Sequence, residues 1–303
     1  MTKNDITRGL IDFAVSQCLK NIKEDPYRSI RRLADLGRQF AKGRFQEELF
    51  SLFQRLLLNE DGPYYEMLKQ LVSSVDTDSL KTLGINIGYN SWTCGASRLR
   101  QITAEKDYPH WLAEISLSSE SSASQLKEQL SAALKNGTYA FRLHMPAQSI
   151  TTDTRQLGLI REFPDCSFFL DFMDTDCTYS DNLLELTCSC DNLAFLVPFG
   201  SLQSRQLVDL LNARQRIYGV CRTYDNTNAA ERISDSQISE MLSWGSPLLF
   251  FLAAADTTQD NRLLVDNAIL DARLHQTYPA LLIHLDADVA RIQQLLLSSR
   301  KNL

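Results

Sequence analysis

The sequence predicts an α/β fold: a parallel (β/α) barrel, partial or closed, preceded by an all-helical N-terminal region. Three observations predict it. From Trp111 onward, seven short apolar runs alternate with stretches of helical periodicity, and strand alternating with helix implies parallel pairing through right-handed crossovers. Before residue 80, apolar residues recur at three- and four-residue steps, the spacing of one helix face. No loop after an apolar run carries G-x-G-x-x-G, the fingerprint of an open dinucleotide-binding sheet, which is the main alternative. The boundaries read from this pattern are a helical region over 1–80, a connector over 81–110 and a barrel over 111–303.

The first helical block shows Leu10, Phe13, Ala14, Cys18 and Ile22, and the second Ile30, Leu33, Leu36 and Phe40. A third holds Phe45, Leu49, Leu52, Phe53, Leu56 and Leu57 and stops at Asn59-Glu-Asp-Gly-Pro63, where glycine and proline break the pattern. A shorter helix follows through Met67, Leu68 and Leu71. Phe45, Phe50, Phe53, Leu56, Tyr64 and Tyr65 give the region an aromatic-rich face, expected to pack mostly on the barrel and to mark a partner site wherever it is exposed. A glycine-bearing connector over 83–96 leads into a polar helix over 97–106. Strands are expected at 111–117, 138–145, 167–173, 192–199, 216–222, 247–255 and 279–285, each a short apolar run between turn residues. Helices are expected at 122–135, 151–163, 179–187, 202–214, 234–244, 262–276 and 287–299. Ser122 and Gln125 have capping-box spacing at the start of the first of these.

Composition narrows the function classes. The chain has 303 residues, 44% hydrophobic and 22% charged, within the globular range. Its net charge is −6 and its pI about 5.3, so it has no electrostatic footprint for nucleic acid. Residues 1–80 hold 12 Lys/Arg and 12 Asp/Glu against 19 and 25 in the remainder, so the barrel region carries the whole deficit. No secretory leader and no membrane-length apolar run are read from the sequence, and a cytoplasmic location without membrane association is expected. Seven cysteines, an odd number scattered over a long chain, are expected as reduced thiols.

The strand Trp111-Leu-Ala-Glu-Ile-Ser-Leu-Ser118 resembles the opening strand of radical S-adenosylmethionine enzymes. Asp25-Pro26 with its Arg/Leu-rich helix, and the connector over 83–96, resemble the segments that precede the barrel in one branch of that family. The resemblance covers most of residues 1–255. In the family, Cys-x3-Cys-x2-Cys follows the first strand and holds a four-iron–four-sulfur cluster. Here the loop reads Ser118-Ser-Glu-Ser-Ser-Ala-Ser124, without a thiol, and serine oxygen does not replace the soft thiolate that retains such clusters. The family's Gly-Gly-Glu-Pro run is replaced by Leu143-His-Met-Pro-Ala147. The resemblance therefore implies a degenerate member with no cofactor, an accessory, regulatory or substrate-holding subunit whose partner is an intact relative or that relative's substrate.

The residues themselves offer a rival. On the second strand Phe141, Leu143 and Met145 share one face and Arg142 and His144 the other. The apolar face should meet the covering helices, so Arg142 and His144 face the interior, where a buried arginine needs an anionic partner such as Asp171. Arg222, Asp256, His284 and Asp286 are expected to join them as a ring of ligand-binding candidates at the barrel mouth. One reading makes this ring a pocket for a small anionic metabolite, with His144 or His284 as acid or base. The other makes it an internal salt-bridge network filling the lumen. Which residue would be catalytic is left open. His144, Asp171, His284 and Asp286 lack H-x-H or H-E-x-x-H spacing, so no metal site is expected. Cys177, Cys188 and Cys190 form the sole thiol cluster in the sequence, and no Cys/His signature accompanies them.

Overall fold

Seven parallel strands form one sheet in chain order: β1 (Leu112–Ser116), β2 (Ala140–Met145), β3 (Ser167–Phe172), β4 (Leu193–Pro198), β5 (Tyr218–Tyr224), β6 (Leu248–Ala253) and β7 (Leu281–His284). The computed structural model describes residues 3–20, 22, 24–41, 43–102, 109–117, 122–145, 154–172, 185 and 189–298. The sheet curls into a half-barrel, and among the described residues β7 does not pair with β1. A closed barrel is thus not what these strands make. All seven expected strands are present. The helix expected over 179–187, apart from helical Glu185, lies outside the described residues, as do Cys177 and Cys188.

The helices in the described residues are α1 (Lys3–Leu19), α2 (Pro26–Phe40), α3 (Arg44–Leu56), α4 (Pro63–Ser74), α5 (Thr77–Ile85), α6 (Ala96–Ile102), α7 (Ala123–Lys135), α8 (Thr154–Gly158), α9 (Leu202–Ala213), α10 (Ala229–Arg232), α11 (Asp235–Leu242), α12 (Gln259–His275) and α13 (Leu285–Leu297). Local chemistry sets several of their starts. Pro26 and Pro63 stand in the first turn of α2 and α4, where a missing N–H costs nothing. Asp25 and Asp76 cap α2 and α5 through their side chains. Ser122 and Gln125 form the full capping box of α7.

The sheet has two distinct faces. Its outer face buries Phe141, Leu143, Phe168, Leu170, Phe195, Val197, Val220, Leu249 and Phe251 beneath the helices that follow each strand. Phe141 stacks on Phe168 with centroids 5.5 Å apart, and Phe172 on Phe195 at 6.5 Å. The inner face is covered by chain from both ends. Ala194, Phe169 and Leu248 pack with Val75, Leu80 and Leu83 from the helical region. The last helix, α13, returns across the same face, placing Val289 with Leu196, Cys221 and Phe250, and Leu296 with Leu112 and Ala140. It is tied to the start of β1, where Trp111 donates its backbone N–H to Gln293 (2.8 Å) and its indole N–H to the Val289 carbonyl (3.0 Å).

Residues 81–102 of the connector are helical. Residues Asn86–Gly95 form a π-helix that runs from α5 into α6. Asn86 and Asn90 on this segment donate to the Pro164 and Cys166 carbonyls (2.9 and 3.0 Å) and to the Asp165 carbonyl (2.9 Å). Further bonds join Asp76 N–H to the Gln215 carbonyl (2.8 Å) and the Gln70 amide to the Gly245 carbonyl (2.9 Å). These carbonyls all precede strands, so the helical region caps the N-terminal end of the half-barrel, the end that serves stability in barrel folds. Gly95 permits a close backbone approach: a Cβ there would lie 2.3 Å from the Gly137 carbonyl oxygen. The aromatic-rich face is internal. Tyr64 and Tyr65 are buried, Phe45 meets the Trp92 ring edge-on at 5.1 Å, and Phe50 and Phe53 line a cavity among the helices.

Candidate functional site

The inner face is fixed by strand register. Glu114 on β1 pairs with Arg142 on β2, and His144 on β2 with Asp171 on β3, so all four side chains leave the sheet on one side. Arg142 Nε and Nη2 both donate to Asp171 Oδ2, at 2.9 and 2.5 Å, and its Nη1 donates to Glu114 Oε1 at 3.0 Å. His144 Nε2 lies 3.3 Å from Glu114 Oε2, and its Nδ1 lies 3.3 Å from Asp171 Oδ2. The Nδ1 contact lacks hydrogen-bond geometry, so its attraction is ionic. Arg142 and Asp171 each keep 7% of their side chains exposed, whereas Glu114 keeps 52%. The cluster therefore has a dry side and one carboxylate open to water.

Each charge is held by its neighbours. His144 is pushed up to about 9, first by Asp171 and then by Glu114, against the opposing effects of burial and Arg142. Glu114 is pulled down to about 2, chiefly by His144, with Arg142 adding to it. Burial works against the Arg142 cation, yet Asp171 and Glu114 outweigh it and raise its pKa. At neutral pH two cations face two carboxylates. A group whose proton is held that firmly is a poor general base near pH 7.

Arg222, Asp256, His284 and Asp286 are not brought to this cluster. Strand alternation turns Cys221 and Thr223 inward and Arg222 outward, where its guanidinium lies 4.8 Å from the Phe199 ring centroid and 4.0 Å from Glu240. His284 also points outward, and its Nε2 meets the Tyr224 hydroxyl at 2.7 Å. Its Nδ1 lies 3.4 Å from Asp266, which in turn pairs with Arg291 at 2.7 Å. Asp286 opens α13 and faces Arg262 at 3.4 Å. Asp256 is exposed beyond β6. In place of one ring there is an inner tetrad under β1–β3 and an outer Tyr–His–Asp–Arg chain between β5, β7, α12 and α13.

Glu114 is the member that sequence reasoning missed. Its signal was present: a carboxylate inside a strand, in phase with Leu112 and Ser116. Finding it required the β1–β2 register, which no periodicity encodes. The described cysteines do not fit a cluster. Burial pushes the Cys166 thiol up to about 12 and raises those of Cys190 and Cys221. Among the described residues no group of three or more His, Cys, Asp and Glu is placed to hold a metal ion. No described helix is long and apolar enough to cross a membrane.

The sequence matches no protein-family model and no characterised protein.

Proposed function

We propose that this chain is a degenerate radical S-adenosylmethionine-like protein that acts as an accessory, regulatory or substrate-holding subunit and performs no chemistry at the inner face. The observation that carries this reading is the closed charge balance of the tetrad. Arg142 and His144 are matched by Asp171 and Glu114 at 2.5–3.3 Å, so no cation there awaits an anion. The loop after β1 supplies no thiolate for a cluster. The expected partner is an intact relative carrying the cysteine motif, or its substrate.

Iron and sulfide assay on protein purified without oxygen, with a visible spectrum and a titration of S-adenosylmethionine, tests the reading. Absence of iron and of S-adenosylmethionine binding is the expected result, followed by co-purification with a cysteine-bearing relative. Stoichiometric iron overturns it.

A second reading rests on Glu114. Its half-exposed carboxylate occupies Arg142 Nη1 and His144 Nε2, and a ligand carboxylate could displace it and take both donors, as a small-anion site requires. Calorimetric titration with small mono- and dicarboxylates separates the readings, because saturable binding lost in Arg142→Met favours an anion site over a closed network.

A further inference from the structure

The helical region contains an apolar, partly open cavity of about 340 Å³ among its helices. Close packing is the rule in such interiors, and voids larger than a water are few. Helices α1–α5 and the π-helix surround this one, with Val15, Leu33, Phe40, Phe50, Phe53 and Leu68 on its walls. These residues have the periodicity of core positions, yet each stays only half-buried. The cavity, not bulk solvent alone, is what they face.

The walls make no polar demand. Lys81 is the sole charged residue among those lining the cavity, and Asp12 and Asp78 stand 3.6 and 3.7 Å from its ammonium. Gln46 donates to the Gly88 carbonyl (2.6 Å) and the Thr93 hydroxyl (2.8 Å). Three glycines line the space: a Cβ at Gly84 or Gly88 would meet no atom within 4 Å, whereas one at Gly37 would lie 2.1 Å from the Phe50 ring. The cavity thus has room that ordinary side chains would take up, while the residues around its one cation already carry two carboxylates.

The geometry points to a binding site for a single uncharged hydrocarbon chain. A dry cavity of about 150 Å³ with aliphatic and aromatic walls holds one benzene. At roughly twice that volume this one accommodates a chain of about ten to twelve carbons. The carboxylates of Asp12 and Asp78 at Lys81 select against an anionic head, so a chain alcohol or similarly neutral lipid fits and a fatty-acid anion does not. The inference goes beyond the accessory reading and does not depend on it; failure of lipid binding leaves the tetrad argument where it stands.

The test is calorimetric titration of the delipidated 303-residue chain with 1-decanol and, separately, with decanoate. Saturable binding of one decanol per chain is expected, with decanoate weaker by about tenfold or more, the equivalent of about 1.4 kcal/mol. Gly88→Leu should fill the cavity and weaken decanol by at least about tenfold, without lowering the thermal midpoint, because glycine in a helix interior is itself unfavourable. Leu33→Trp, entering from α2, repeats the test should Gly88→Leu not fold. Absence of saturable decanol binding, decanoate binding as tightly as decanol, or unchanged affinity in the folded cavity-filling variants overturns the proposal.

Discussion

Replacing Arg142 by methionine tests whether the inner tetrad is a structural unit. The substitution keeps an unbranched side chain and removes three contacts at once: two donations to Asp171 (2.9 and 2.5 Å) and one to Glu114 (3.0 Å). Glu114 loses little, since it is half-exposed and can turn to water. Asp171 has no such escape. With 7% of its side chain exposed, it would keep, among the described residues, the His144 Nδ1 contact at 3.3 Å. Leaving a buried charge without its partner costs about 3–5 kcal/mol, a large share of the roughly 5–15 kcal/mol that holds a domain together. Urea titration at pH 6, followed by far-ultraviolet circular dichroism, should show that loss as a lower midpoint at unchanged slope. The double variant Arg142→Met with Asp171→Leu should recover most of it, because exchanging a buried pair for apolar groups of similar volume is often neutral or stabilising. A single-variant cost below about 1 kcal/mol, the level of an exposed ion pair, would refute the reasoning, as would a double variant no better than the single.

Other consequences follow from the same contacts. His144 is raised from 6.5 to about 9, so its stabilising share is complete below about pH 6.5 and is lost as pH rises through about 9. Glu114 is lowered from 4.5 to about 2, so its share is present above about pH 4.5 and is lost as pH falls through about 2. Together the two groups predict maximum stability over about pH 4.5–6.5, and His144→Gln should flatten the alkaline limb of the profile. The His144 share is of the order of 3 kcal/mol at most, readable as a shift in urea midpoint between pH 6 and pH 9. Gly95→Ala places a methyl 2.3 Å from the Gly137 carbonyl oxygen and should cost about 1–3 kcal/mol, as overpacking does, lowering the thermal midpoint. Asn86→Ala leaves the Pro164 carbonyl without its described donor, while Asn192 still serves that of Cys166. A loss of about 1–3 kcal/mol is expected, with faster amide hydrogen exchange at the N-terminal end of β3 as the local readout.

The strand–helix order was legible because each element carries its own signal: period-two or continuous apolar runs for strands, and three- and four-residue steps for helices. On β2 the pattern also gave the facing. Phe141, Leu143 and Met145 oppose Arg142 and His144, and only one assignment puts the apolar set under the helices. On β5 and β7 it could not. Tyr218 and Val220 alternate with Gly219 and Cys221, and Leu281-Leu-Ile283 has no polar residue to mark a face. Strands of a parallel sheet buried on both sides lose the contrast that alternation depends on. That is why Arg222 and His284 were expected inward and are found outward.

What the sequence determined by itself is what nearest neighbours along the chain decide: the seven strands, the helices expected at 122–135 and 202–214, the cap at Ser122, and the inward pair Arg142 and His144. The tertiary structure alone decided the rest. Curling without a β1–β7 pair, the return of α13 across the inner face, the arrival of Glu114 beside Arg142 and the apolar cavity of the helical region all depend on contacts between residues far apart in the chain. Such contacts are set by the register and packing of whole elements, a geometric outcome of many side chains at once that no local spacing carries.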